Sequence, residues 1–124
     1  MVFHHVGIAC KDIQETLEYV KNTFDVESVS KEVFDAKQNA TLCMVDIKNG
    51  FKLELISGEV VKAFIKKRQY LYHICYEVEN IEAAIDQCSN NGVVLSQPKE
   101  AILFDNKRVV FIMTPIGLIE LLEK

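Results

Sequence analysis

Residues 71–88 read LYHICYEVENIEAAIDQC, and this stretch decides the fold because the chain contains it twice. Its first half has strand character, with Tyr72 and Tyr76 on the parity opposite to His73. Asn80 then caps a helix carrying Ile81, Ala84, Ile85 and Cys88, and Asn90-Asn91-Gly92 stops it. The earlier copy, HHVGIACKDIQETLEYV, occupies residues 4–20. A shift of 68 positions lays His5 on His73, Val6 on Ile74, Asp12 on Asn80, Ile13 on Ile81 and Leu17 on Ile85. A strand-plus-helix unit repeated at a fixed offset predicts a duplicated architecture.

Working outward, each copy acquires a late partner: KLELI at 52–56 and LIELL at 118–122. These set Glu54 against Glu120, 49 positions after His5 and 47 after His73. In the first half, residues 2–10 alternate as a strand. Asp12 opens a helix as its N-cap, Glu15 completes a capping-box-like pattern, and Ile13, Leu17, Val20 and Phe24 form one stripe over a sheet. Residues 26–34 and 40–47 read as strands around a polar turn at 35–39. Asn49-Gly50 predicts a hairpin, since both residues tolerate positive φ, and 51–57 closes the module. In the second half, 93–95, 101–104, 108–113 and 118–122 read as strands, with a turn at Thr114-Pro115-Ile116-Gly117. The expected fold is α+β: one domain, 1–124, of two βαβββ modules (1–57 and 71–124) joined by a linker at 58–70, pairing into a curved mixed sheet.

An apolar fraction of 49% and a charged fraction of 26% describe an ordinary globular chain. A net charge of −4 argues against nucleic acid as a partner. No apolar run approaches the ~18 residues of a membrane span, and MVFHHVGIAC lacks a basic leader, which predicts a cytoplasmic protein. The four cysteines, Cys10, Cys43, Cys75 and Cys88, form no CxxC pair; they read as buried thiols in a reducing compartment.

His5, Glu54, His73 and Glu120 are the candidate metal ligands. A strand glutamate flanked by Leu53 and Leu55, or by Ile119 and Leu121, points to the face opposite its neighbours. A buried carboxylate without compensation is costly, and a cation supplies that compensation. Imidazole and carboxylate without thiolate suit Ni²⁺, Co²⁺, Zn²⁺, Fe²⁺ or Mn²⁺. Cys75, two residues after His73, is either a cavity-lining thiol or a small apolar filler. Arg108, Lys107 and the run Lys66-Lys67-Arg68 are either solvated ends or contacts to an anionic substrate group.

The segments HHVGIACKDI, LELIS, YHICYEVENIEAAI and TPIGLIELLEK together resemble the vicinal oxygen chelate superfamily (glyoxalase/bleomycin resistance/dioxygenase), over essentially the whole chain. Within it the chain is most similar to small bacterial glyoxalase I (lactoylglutathione lyase) and methylmalonyl-CoA epimerase proteins. The usual terminal DPxG is replaced here by Thr114-Pro115-Ile116-Gly117, which keeps the turn. The resemblance implies the glyoxalase-like fold around a metal, a homodimer, and His5, Glu54, His73 and Glu120 as ligands. It also implies Ni²⁺ or Co²⁺ ahead of Zn²⁺, with a thiol such as glutathione as co-substrate.

The chemistry so implied is proton transfer beside a carbonyl, with Glu120 as base and Glu54 as ligand and second acid/base. A lyase returns the proton to the neighbouring carbon, whereas an epimerase returns it to the opposite face of the same carbon. The strand at 41–47 offers only Asp46 as a further acid, which favours the lactoylglutathione lyase reading over the methylmalonyl-CoA epimerase alternative. A non-catalytic, resistance-type binding protein and an extradiol-type oxygenase are the remaining alternatives.

Overall fold

The structure, a computed structural model, describes residues 1–124. Strand β1 (Val2–Ala9) is followed by helix α1 (Ile13–Thr23), β2 (Val26–Val29), β3 (Val33–Asp35), β4 (Ala40–Ile47) and β5 (Phe51–Gly58). A 3-10 turn at Glu59–Val61 and helix α2 (Lys62–Lys66) lead to β6 (Leu71–Val78) and α3 (Ile81–Cys88). Strands β7 (Val93–Val94), β8 (Lys99–Ala101), β9 (Lys107–Thr114) and β10 (Gly117–Glu123) complete the chain. The residues group into two compact units, His5–Tyr72 and His73–Lys124 with Met1–His4. No helix is long and apolar enough to cross a membrane.

In the unit His5–Tyr72 the sheet order is β2-β4-β5-β1, with β1 parallel to β5 and β4 antiparallel to β5. Helix α1 starts where expected, because Asp12 Oδ1 accepts from the amides of Gln14 (2.8 Å) and Glu15 (3.3 Å). Ile13, Leu17 and Val20 bury against Val45, Leu53 and Leu55 of the sheet. Phe24 departs from the expected stripe and is 45% exposed: the helix stops at Thr23, and Phe24 is its extended C-cap, donating to the Val20 carbonyl at 2.9 Å.

The strand expected over residues 26–34 is broken, and β2 and β3 pair separately with the two ends of β4. At the break Ser30 serves both ladder groups of Met44: its Oγ accepts from the Met44 amide and its own amide donates to the Met44 carbonyl, each at 2.8 Å. A side chain thus replaces a strand neighbour, and no backbone polar group of Met44 is orphaned. The β4–β5 connection falls at the expected place, with Asn49 and Gly50 at φ 77° and 82°, but it includes Lys48 and so is one residue longer than a two-residue turn.

The second unit repeats the plan. Its sheet order is β6-β10-β9-β7, with β6 parallel to β10 and β9 antiparallel to β10. Asn80 Oδ1 accepts from the Ala83 amide at 2.9 Å to cap α3, which buries Ile81 and Ala84 against Ile112 and Leu121. The strand expected at 101–104 ends at Ala101. Ile102–Phe104 is a 3-10 turn, closed by Asp105 and Asn106 at φ 56° and 62°. Strands β7 and β8 both pair with β9, as β2 and β3 pair with β4. Each half is therefore βαβββ with its second strand split in two.

Candidate metal-ligating pairs

In the first unit, Gly7 faces Glu54 across the parallel β1–β5 ladder, which sets His5 two residues before the partner of Glu54. The pleat sends Leu53 and Leu55 into the α1 core and Glu54 to the other face. His5 Nε2 stands 3.3 Å from Glu54 Oε1, and the two residues are 0% and 3% exposed. In the second unit, Cys75 faces Glu120 across the β6–β10 ladder, so His73 again lies two residues before the partner of the carboxylate. Ile119 and Leu121 pack under α3, and Glu120 turns away from them. His73 Nε2 is 3.2 Å from Glu120 Oε1, at 3% and 1% exposure. The duplication seen in the sequence is thus a duplication of register.

Each pair offers one imidazole nitrogen and one carboxylate oxygen with almost no water around them. A bare buried carboxylate costs several kcal/mol, and its imidazole neighbour compensates either by holding a proton or by sharing a cation. Separations of 3.3 and 3.2 Å admit both cases. Two ligands bound at about 2.1 Å to one ion lie about 3.0 Å apart at octahedral and about 3.4 Å at tetrahedral angles. Both pairs therefore have the donor types and the separation for adjacent positions on a divalent metal.

The other candidates separate cleanly. Cys75 is fully buried among Ala101, Val109 and Leu122, beside Phe104. Arg108 is neither a solvated end nor aimed at a substrate group. Its Nη1 donates to Glu82 at 2.8 Å, and its Nε and Nη2 donate to Glu123, both at 2.9 Å. Lys107, Lys66, Lys67 and Arg68 are exposed. Tyr72 packs edge-on against Phe64 near α2, and Tyr76 against the α3 core, as their parity predicts. Burial pushes the thiols of Cys10, Cys43 and Cys88 above the usual range, so they are poor nucleophiles. A groove of about 420 Å³ runs along α3, but neither His73 nor Glu120 lines it.

Two residues escaped the sequence reading. Asp35 is buried at the end of β3, where its Oδ1 accepts from the Lys37 amide at 3.0 Å and its Oδ2 from Gln38 Nε2 at 3.1 Å. Phe111 lies against His73, ring centroids 5.2 Å apart at 80°. The turn at Thr114–Gly117 carried the signal for Phe111: three residues back from Thr114 and three on from Gly117 pair Phe111 with Glu120.

The family model described as Glyoxalase/Bleomycin resistance protein/Dioxygenase superfamily matches residues 4–111. The mitochondrial methylmalonyl-CoA epimerase of Dictyostelium discoideum is 31% identical over 115 residues, covering 88% of this chain and 68% of that protein. The ethylmalonyl-CoA/methylmalonyl-CoA epimerase of Cereibacter sphaeroides is 30% identical over 116 residues, covering 88% and 85%. The crystal structure of methylmalonyl-CoA epimerase from Mycobacterium tuberculosis superposes with a TM-score of 0.80 at 20% identity, over 98% of this chain and 87% of that one.

These relatives, named as epimerases, overturn the lactoylglutathione lyase reading. That reading rested on the lack of a second acid along residues 41–47. In the structure Asp46 is engaged by Ser28 Oγ at 3.1 Å. A family model covering most of the chain, two relatives at or above 30% identity and a duplicated His–Glu register agree, and the chain belongs to the Glyoxalase/Bleomycin resistance protein/Dioxygenase superfamily.

Proposed function

We propose that this chain is a metal-dependent epimerase acting on an acyl-CoA thioester of the methylmalonyl-CoA kind. One observation carries the reading: the same buried His–Glu pair is built twice in the same register, in a chain whose relatives are named as epimerases of such thioesters. On the family resemblance, His5, Glu54, His73 and Glu120 are proposed as the ligands of one divalent ion. Donors of this kind, without thiolate, suit Ni²⁺ or Co²⁺. Bound there, the ion supplies Lewis-acid polarisation of the substrate carbonyl, which acidifies the adjacent C–H.

The remaining work falls to the chain's own side chains. Glu120 takes the α-proton: the C–H bond breaks, its electron pair passes into the thioester carbonyl, and the α-carbon becomes planar. Glu54, in its protonated form, delivers a proton to the opposite face, and the new C–H bond restores the carbonyl with inverted configuration. One proton leaves and one arrives, and in the reverse direction the two carboxylates exchange roles. The low exposure of all four residues keeps water from competing for the planar carbon.

The test is α-deuteration of methylmalonyl-CoA in D₂O by protein carrying one equivalent of Co²⁺ or Ni²⁺, followed by NMR. We expect exchange at the α-carbon with racemisation. A stoichiometrically loaded protein that exchanges no α-proton would remove the proposal.

A further inference from the structure

The two pairs share a register but not a neighbour. Across the β9–β10 ladder Glu120 faces Phe111, and across the β4–β5 ladder Glu54 faces Met44. Phe111 is half-buried and presents its ring edge-to-face to the His73 imidazole, at 5.2 Å and 80°. Rotation of a histidine ring about its outer torsion is otherwise a broad, shallow well. An edge-to-face aromatic partner narrows it, because the ring edge and the ring face carry opposite partial charge. A methionine at the equivalent place is unbranched and adaptable, and imposes no such angle.

We propose that Phe111 is a positioning residue: it holds the His73 imidazole with Nε2 directed at Glu120, so that the second half is set before an ion binds. The ion in this argument rests on the proposed function; the orientation of His73 does not. Neighbours that fix the orientation of a ligating histidine are commonly worth 10- to 100-fold in metal affinity.

The experiment compares wild type, Phe111→Leu, Phe111→Tyr and Met44→Leu by two readouts. The first, ¹H–¹⁵N spectra of the histidine side chains in metal-free protein, needs no ion. We expect one sharp His73 ring signature in wild type, Phe111→Tyr and Met44→Leu, and an exchange-broadened or shifted one in Phe111→Leu. The second is Co²⁺ binding and the visible spectrum of the Co²⁺ form. We expect Phe111→Leu to bind about 10-fold more weakly with an altered spectrum, and Phe111→Tyr to stay within about 2-fold of wild type. If Phe111→Leu keeps the wild-type His73 signals and Co²⁺ spectrum, the proposal is overturned, whether or not its thermal midpoint falls. If wild type itself fails to take up Co²⁺, the metal reading fails, and the metal-free spectra still decide the role of Phe111.

Discussion

Glu120 faces the imidazole of His73 because Ile119 and Leu121 on either side belong to the core under α3. Glu54 obeys the same rule between Leu53 and Leu55. This parity was readable in advance, since side chains along a strand alternate with period two whatever the tertiary context. Arg108 was not readable: its charge was plain, but its partners, Glu82 and Glu123, come together only once α3 lies over the sheet. Phe111 could be placed by counting from the turn, whereas its edge-on angle to His73 depends on side-chain torsions that no pattern encodes. At this scale the carboxylate prediction is sharp. Glu120→Gln keeps the volume and removes the carboxylate proposed as base, so α-proton exchange should fall by about 10²- to 10⁴-fold while the fold survives. Deuterium incorporation alongside the circular dichroism spectrum checks both halves of that statement, and an exchange rate near wild type would take Glu120 out of the reaction.

The helices announced themselves through their caps: Asp12 and Asn80 accept first-turn amides in both halves. Asp12→Ala should therefore cost about 0.5–2 kcal/mol of stability, measured by urea unfolding, with no change in metal stoichiometry. The split strands were not visible, because β propensity runs on through residues 26–34, and it is one hydroxyl, that of Ser30, that ends the ladder. The end of α3 is tied differently. Arg108 clamps Glu82 on the helix and Glu123 on β10, and Glu123 Oε2 also accepts from the Ile81 amide at 3.3 Å. Hydrogen bonds from Arg108 hold both carboxyls below the usual carboxylate range. A carboxyl whose folded pKa lies below its unfolded value of about 4.3 adds stability that is complete above that value and lost as pH falls through the lower one. Acidification from about pH 5 to pH 3 should thus destabilise wild type more steeply than Arg108→Met, the two curves converging at the acid end. Parallel curves in urea titrations at stepped pH would show that the clamp contributes nothing; since Glu82 is exposed and Glu123 and Arg108 are only partly buried, the difference will be small.

For the chain as a whole, the repeat at an offset of 68 residues foretold two halves of like plan, and each unit has its own parallel strand pair and its own helix-covered core. If the two His–Glu pairs serve one ion, purified protein binds one equivalent, and His5→Ala or His73→Ala alone abolishes tight binding. Two independent centres would instead bind two equivalents and lose one per substitution, which equilibrium dialysis with Co²⁺ distinguishes. An ion bound only by the native state at one hundred times its Kd adds about 2.7 kcal/mol, so the thermal midpoint should rise on loading and return on chelation. The spacing from histidine to glutamate differs between the halves by two residues, yet the ladder partners correspond residue for residue. One residue of that difference lies in the hairpins, 48–50 against 115–116, and the other upstream of Met44 and Phe111. The difference in length is thus confined to the connections, and it leaves the His–Glu separations at 3.3 and 3.2 Å, so connection length is a freedom that the paired strands do not feel.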